Sequence, residues 1–239
     1  MNASRRLALG AKRGLDVVGA VAGLVILSPV LAWTSVAELA TQGKPILFRQ
    51  VRPGLRGRPF TVFKFRTMRP PQPGEIWYAT DADRVTRLGR FLRSSSIDEL
   101  PELWNVLRGE MSLVGPRPLL VEYLPRYTPR ERRRHEVRPG ITGWAAVNGR
   151  HALRFEERLE LDVWYVDNWS LWLDIRILAM TVGQVLGRSG VRDTQVFSEI
   201  DFPSRFEGGL AEGQARQAAG LRPASGSVTL GPSGGDRVN

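Results

Sequence analysis

An uncharged segment near the amino terminus most constrains what this chain can form. No charged residue lies between Asp16 and Glu38, which leaves 21 uncharged positions at residues 17–37. A straight helix of that length would reach about 32 Å, close to the thickness of the hydrocarbon core of a bilayer. The segment therefore predicts insertion into a membrane, and the alternative is a helix buried in a protein core.

A proline interrupts this segment close to its middle. Pro29 removes a backbone hydrogen bond, and the Ser28 hydroxyl can satisfy a carbonyl that the break leaves free. Basic residues flank the segment on both sides, at Arg5, Arg6, Lys12 and Arg13 before it and at Lys44, Arg49, Arg52, Arg56 and Arg58 after it. Positive residues favour the cytoplasmic face, so a helix broken at Ser28 and Pro29 that turns back places both flanks correctly. We predict a re-entrant membrane helix over residues 1–40.

The rest of the sequence predicts an α+β fold that is mainly helical. Apolar runs at residues 46–48 and 60–63 flank a Pro-Gly turn, which predicts a short β-hairpin. Helical periodicity or composition predicts helices near residues 85–93, 101–109, 155–166 and 171–186. We expect amphipathic, interfacial helices around a cytoplasmic active site, with a catalytic domain at residues 41–206. Gly, Ala and Ser dominate residues 207–239, which predicts a disordered tail.

Charge and residue types narrow the chemistry. The net charge is +10, which suits nucleic acid, an anionic membrane surface or phosphate-bearing substrates. The chain has no cysteine and two histidines, so disulfides and thiolate metal sites are excluded and a zinc site or Ser-His triad has little to use. No helix-turn-helix, zinc-finger or RNA-recognition signature accompanies the charge, so we do not expect a nucleic-acid partner.

Asp98 and Glu99 are the main candidates for catalytic residues. Ser96 precedes them in a capping-box pattern, so they can also be read as acids at the start of a helix. Arg93 lies just upstream, and Arg117 sits in a rigid Gly-Pro-Arg-Pro turn. Paired carboxylates can hold Mg²⁺ and leave one oxygen free as a nucleophile, while guanidinium groups grip phosphate oxygens. This combination suits phosphoryl transfer better than acyl transfer.

Six motifs occur in order along the chain. They are Ser28-Pro29, Lys64-Phe65-Arg66-Thr67-Met68, Ser96-Ile97-Asp98-Glu99-Leu100-Pro101, Leu103-Trp104-Asn105-Val106, Val114-Gly115-Pro116-Arg117-Pro118 and Arg138-Pro139-Gly140-Ile141-Thr142-Gly143-Trp144. Together they resemble the bacterial sugar transferases, the monotopic phosphoglycosyl transferases that begin glycan assembly on polyprenyl phosphate. The resemblance runs from about Lys12 to about Leu186.

The resemblance implies a reaction and a location. It implies that Asp98 attacks a UDP-sugar to give a phosphosugar-aspartate and UMP, and that polyprenyl (undecaprenyl) phosphate then accepts the phosphosugar. Glu99 matches the acid that helps Asp98 bind Mg²⁺, while Arg93 and Arg117 match arginines near the phosphates. The expected location is the inner leaflet of the bacterial cytoplasmic membrane, with the catalytic domain on the cytoplasmic face. A homo-oligomer is compatible with the sequence.

Other residues have two interpretations. Lys64, Arg66 and Arg150 are candidates for substrate binding, and the alternative for each is a solvated charged side chain. We expect Trp144 to pack in the core. The chain departs from the family pattern at Ser94, Glu102 and Ala146, where relatives usually carry a basic residue and two glutamines. These departures leave a catalytically inactive membrane scaffold as the alternative function.

Overall fold

The structure is a computed structural model, and it describes residues 3–70, 81–149 and 153–187. Within these residues the fold is mainly helical with two small sheets, as the sequence predicts. The predicted tail at residues 207–239 lies outside the described residues.

Two helices form the amino-terminal part, α1 (Ala3–Ile26) and α2 (Ser28–Gln42). The Ser28 hydroxyl donates a 2.8 Å hydrogen bond to the carbonyl of Val25, so the predicted break and its satisfaction by serine are confirmed. No single helix in the described parts of the chain is long and apolar enough to cross a bilayer. Arg5–Ile26 and Ser28–Gln42 meet the length and composition criteria together, as a pair bent by 60°.

The other described residues leave much of the apolar surface of these two helices exposed. Val18, Val25, Trp33 and Val36 are each more than half exposed. A helix in a protein core would bury such side chains. Within the described residues the segment is thus not enclosed as a core helix would be.

A β-hairpin follows α2. Strands β1 (Leu47–Pro53) and β2 (Pro59–Phe65) pair antiparallel, with Gln50 opposite Val62. The connection at residues 54–58 includes Gly57 with a φ of 72°, a conformation that glycine adopts without strain. The hairpin confirms the prediction from the two apolar runs.

Further helices of 4 to 16 residues and a second sheet complete the described chain. The helices are α3 (Asp81–Arg84), α4 (Arg87–Ser94), α5 (Glu102–Arg108), α6 (Pro129–Arg132), α7 (Trp144–Val147), α8 (Phe155–Asn168) and α9 (Leu171–Leu186). Strands β3 (Ser112–Val114) and β4 (Gly140–Thr142) pair in parallel. Apolar side chains of β2, α5 and α1 meet in one core cluster, which includes Val62, Val106 and Met111.

Polar side chains fasten α1 to this body. The Lys12 ammonium donates to the Val114 carbonyl at 3.0 Å and to the Asp174 carboxylate at 2.7 Å. The Asp16 carboxylate accepts from the Ser112 hydroxyl and the Leu113 amide, each at 2.9 Å. These bonds join α1 to β3 and α9, so the first helix is docked on the domain that carries the candidate site.

Candidate active site

Asp98 and Glu99 lie on one 3₁₀ turn, Ile97–Glu99, between α4 and α5. Ser96 has a φ of 57°, in the left-handed region, and its side chain makes no capping hydrogen bond. The acids do lie in the first turn of a helix, as the alternative interpretation expects, but Ser96 does not form the capping box and the next α-helix begins at Glu102. After this left-handed residue, Glu99 reaches Lys64 of the hairpin.

Glu99 is held by two cations. Its Oε1 accepts from the Lys64 ammonium at 2.7 Å and from the Arg117 guanidinium, so residues of β2 and of the loop after β3 meet on one oxygen. Burial alone would raise the pKa of Glu99, but the positive charges of Arg117 and Lys64 outweigh it and hold that pKa well below its usual range. Glu99 is consequently charged at all physiological pH values, and Lys64 is not the solvated side chain of the alternative interpretation.

Glu102 also joins the cluster, as a carboxylate at the position where relatives usually carry glutamine. Its carboxylate lies 3.0 Å from the Lys64 ammonium and is buried. Burial and the negative charge of Glu99 raise the pKa of Glu102, against the effect of Lys64. Burial would lower the pKa of Lys64, yet the two carboxylates raise it. Lys64 therefore stays charged and bridges both acids.

Asp98 differs from its neighbour in having no such partner. Among the described residues none donates a hydrogen bond to its carboxylate or forms an ion pair with it. Burial and the negative charge of Glu99 raise the pKa of Asp98 to about 7, although Lys64, Arg117 and Arg93 oppose the rise. Two adjacent carboxylates thus have opposite environments: Glu99 is fixed and charged, and Asp98 is unengaged and titrates near neutral pH.

Arg93 reaches the site from α4, where the Thr67 hydroxyl accepts a 2.9 Å hydrogen bond from its Nε. The helix can approach because position 89 is glycine: a Cβ there would lie 1.9 Å from the Thr67 carbonyl oxygen. Thr67 thus orients Arg93 through its side chain and fixes α4 through its backbone.

Replacing Gly89 by alanine should move α4 away from Thr67. The added methyl group meets backbone that cannot easily yield, so we expect a loss of about 1–3 kcal/mol in the free energy of unfolding. Gly183→Ala is the matched control, because α9 is open at that position and nothing lies within 4 Å. We expect the control to be neutral or slightly stabilising. Thermal denaturation of both variants tests this, and equal melting temperatures would contradict the close approach.

Arg117 is positioned by the backbone of its loop. A Cβ on Gly115 would lie 2.3 Å from the Arg138 carbonyl oxygen, so the Gly-Pro-Arg-Pro turn packs directly on the chain that enters β4. Behind the turn, the buried Arg134 guanidinium donates to the Arg117 carbonyl at 2.7 Å and pairs with Asp162 at 2.6 Å. These contacts fix the main chain of Arg117 while its side chain reaches Glu99.

The remaining predicted site residues lie elsewhere. The Arg66 guanidinium donates to the Gln42 and Gly43 carbonyls at 2.6 and 2.8 Å, at the end of α2 and away from the carboxylate cluster. Arg150 lies outside the described residues. Trp144 packs against the cluster around Val147 and stacks on Trp164 with ring centroids 4.9 Å apart, as expected for a core side chain.

A small cleft that opens to solvent borders the cluster. Alternate residues of the hairpin form one wall, including Phe48, Gln50, Arg52 and Lys64. Glu102, Arg117 and Pro118 form the other wall. Sequence reasoning missed Arg52 and Thr67 as members of this region. The alternation of residues along β1 was the only available signal for Arg52, and it does not show what the strand faces.

The fold and the site define an enzyme in which carboxylates and guanidinium groups surround one unengaged aspartate. The chain belongs to the bacterial sugar transferase family, whose model matches residues 7–188. It is 51% identical over 183 residues to the uncharacterized sugar transferase EpsL of Bacillus subtilis, covering 77% of this chain and 91% of that protein.

Longer relatives carry more specific names. The chain is 43% identical over 185 residues to the UDP-glucose:undecaprenyl-phosphate glucose-1-phosphate transferase of Caulobacter vibrioides, which covers 73% of this chain and 69% of the relative. It is 42% identical over 181 residues to the protein of the same name from Escherichia coli, and the match covers 72% of this chain and 39% of that protein. The match therefore spans well under half of the Escherichia coli protein.

Proposed function

We propose that this enzyme transfers a phosphosugar from a UDP-sugar to polyprenyl phosphate and releases UMP. The observation that carries the proposal is the unengaged Asp98 carboxylate beside a cluster in which Lys64 and Arg117 hold Glu99. An attacking carboxylate must be free of strong partners, and cations must stand where phosphate charge develops. The names of the Caulobacter vibrioides and Escherichia coli relatives support the substrate classes.

The reaction follows in two displacements. An Asp98 oxygen attacks the β-phosphorus of the donor, the bond between that phosphorus and the bridging oxygen breaks, and UMP leaves with the bond electrons. A phosphate oxygen of polyprenyl phosphate then attacks the phosphorus of the phosphosugar-aspartate, and the Asp98 carboxylate leaves. Arg93 and Arg117 bind the phosphate oxygens and balance their charge in both steps.

Mg²⁺ fits the donor set as part of this proposal. Glu99 uses Oε1 for its cations, and its Oε2 makes no hydrogen bond within the described residues. Mg²⁺ in phosphoryl-transfer sites uses one or two carboxylates together with substrate phosphates, so Glu99 and one oxygen of Asp98 would hold it and leave the other Asp98 oxygen free to attack. The ion would supply charge neutralisation of the diphosphate.

The proposed location is the cytoplasmic face of the bacterial cytoplasmic membrane, with α1 and α2 as a re-entrant pair. The exposed apolar faces of these helices support it, as do exposed aromatic side chains on α4, α5 and α9 at Phe91, Trp104 and Trp172. A polyprenyl chain stays in the bilayer, so its phosphate must meet the soluble donor at this boundary.

The experiment that tests the function is UMP release from a panel of UDP-sugars by protein held in nanodiscs with Mg²⁺ and polyprenyl phosphate. Release with at least one sugar, together with a phosphosugar adduct in the intact-protein mass, supports the proposal. If folded protein releases no UMP with any sugar of the panel, the proposed transferase function is wrong and the inactive scaffold is favoured.

The rate of the first displacement should depend on pH around neutrality. Because the pKa of Asp98 is raised to about 7, protonation removes the nucleophile below that pH. We expect the initial UMP burst with UDP-sugar alone to fall about tenfold per pH unit below pH 6 and to level off above pH 8. Omitting polyprenyl phosphate keeps its own titration out of the measurement. A burst rate that stays constant over about three pH units, from pH 5.5 to pH 8.5, would contradict the assignment of Asp98 as the titrating nucleophile.

A further inference from the structure

Arg52 is a partly buried cation that makes no direct contact with a carboxylate among the described residues. Its guanidinium donates to the Gln50 side chain, and among the described residues it forms no ion pair. Burial and the positive charge of Arg117 lower the pKa of Arg52 to about 10. The negative charges of Glu102 and Glu122 oppose this lowering but do not outweigh the cost of burying the guanidinium beside Arg117.

An anion in the cleft would reverse this cost. Arg52 and Arg117 both line the cleft, and Arg117 also contacts Glu99 next to the proposed nucleophile. A guanidinium pair that converges on an open cleft suits a phosphate group, whose oxygens accept two parallel hydrogen bonds from each arginine. The phosphate that Arg52 could contact would therefore lie beside the reacting phosphorus.

We propose that Arg52, together with Arg117, forms the subsite for the phosphate of the leaving nucleotide. This inference rests on the proposed function and adds a residue to it. Negative charge accumulates on the leaving phosphate as its bond to the β-phosphorus breaks, and Arg52 balances that charge. Gln50 orients the Arg52 guanidinium from the adjacent position on the same face of β1.

The position of Arg52 along the hairpin distinguishes the nucleotide from the lipid phosphate. Arg66 bonds the carbonyls at the end of α2, so the end of β2 next to it is fastened to the re-entrant pair. Arg52 lies at the other end of the hairpin, paired with Phe60. Four residues of strand, from Phe48 to Arg52, cover about 13 Å. This distance from the membrane helices favours the water-soluble substrate.

Titration calorimetry with UMP on the nanodisc-held protein tests the subsite without any turnover. We expect Arg52→Gln to weaken UMP binding about tenfold to a hundredfold, as the loss of charged hydrogen bonds does, and Arg52→Lys to recover part of the affinity. The KM for polyprenyl phosphate should stay within about twofold, because the lipid phosphate does not use this subsite. Arg49→Gln is the matched control, because Arg49 lies on the opposite face of β1, over the Phe63 ring. This variant should bind UMP like the wild type.

Several outcomes would overturn the inference. Unchanged UMP affinity in a folded Arg52→Gln variant removes Arg52 from the nucleotide site, and a raised KM for polyprenyl phosphate with unchanged UMP affinity assigns it to the lipid phosphate. Either result leaves the proposed function intact if the wild type still releases UMP. A wild type that neither binds nor releases UMP would end both proposals. Melting temperatures of Arg52→Gln and Arg52→Lys show whether each variant is folded.

Discussion

Asp98→Asn should abolish the formation of the phosphosugar adduct and reduce UMP release by at least about a thousandfold, because the amide has no nucleophilic oxygen of comparable strength. The substitution preserves size and the hydrogen-bonding surface of Glu99, Lys64 and Arg117, so the site that binds the donor is retained. UMP release and intact-protein mass are the two measurements. The variant should still bind UMP.

The fold of this variant can be checked through stability. The pKa of Asp98 is raised in the folded protein, so folding takes up a proton and stability falls as pH rises from the unfolded pKa, about 4, through about 7. Asparagine removes this penalty, and we expect the Asp98→Asn variant to melt no lower than the wild type at pH 8. A lower melting temperature would mean that Asp98 has a stabilising partner.

The matched control is Asp167→Asn, which removes an acid from the exposed surface of α8. It should keep wild-type UMP release, since exposed ion pairs contribute about 0–1 kcal/mol. If Asp98→Asn retained more than a tenth of the wild-type rate, Asp98 would not be the nucleophile. If the wild type were inactive and Asp98→Asn left the cellular phenotype intact, the scaffold would be the better interpretation.

Local patterns in the sequence predicted several elements well. The helix Leu171–Leu186 is predicted from its apolar pattern, and the structure shows that the Ser170 hydroxyl caps it by accepting from the Leu173 amide at 3.1 Å. The break at Pro29 and the hairpin are also local, since proline geometry and a glycine turn act within a few residues.

What sequence reasoning missed depends on contacts between distant residues. The parallel pair Ser112–Val114 and Gly140–Thr142 is three residues long in each strand, too short for a periodic signal. The sequence around Ser96 matches a capping box, but Ser96 adopts a left-handed conformation instead. That conformation accompanies the contact between Glu99 and Lys64, which are far apart in the sequence. The hydrogen bonds from Arg66 to the carbonyls at the end of α2 likewise depend on the position of the hairpin in the fold.

Asp162→Asn should strongly destabilise the fold behind the active site. Asp162 and Arg134 form a buried ion pair at 2.6 Å, and Arg134 also bonds the Arg117 carbonyl. Removing one partner leaves an uncompensated buried charge, which costs about 3–5 kcal/mol. A chain of this size should then melt on the order of 10 °C lower. Thermal denaturation in nanodiscs measures the change, and UMP release should fall as the Arg117 loop loses its anchor.

Two comparisons separate this effect from a general sensitivity to charge removal. Glu160→Gln breaks the exposed pair of Glu160 with Arg130 and should cost less than about 1 kcal/mol. Burial raises the pKa of Asp162 although Arg134 opposes the rise, so the native pair is formed against a desolvation cost. Arg134→Met combined with Asp162→Leu removes that cost and should restore most of the stability but not the anchoring of Arg117. A single Asp162→Asn variant that melts like the wild type would show that the pair does not hold this loop.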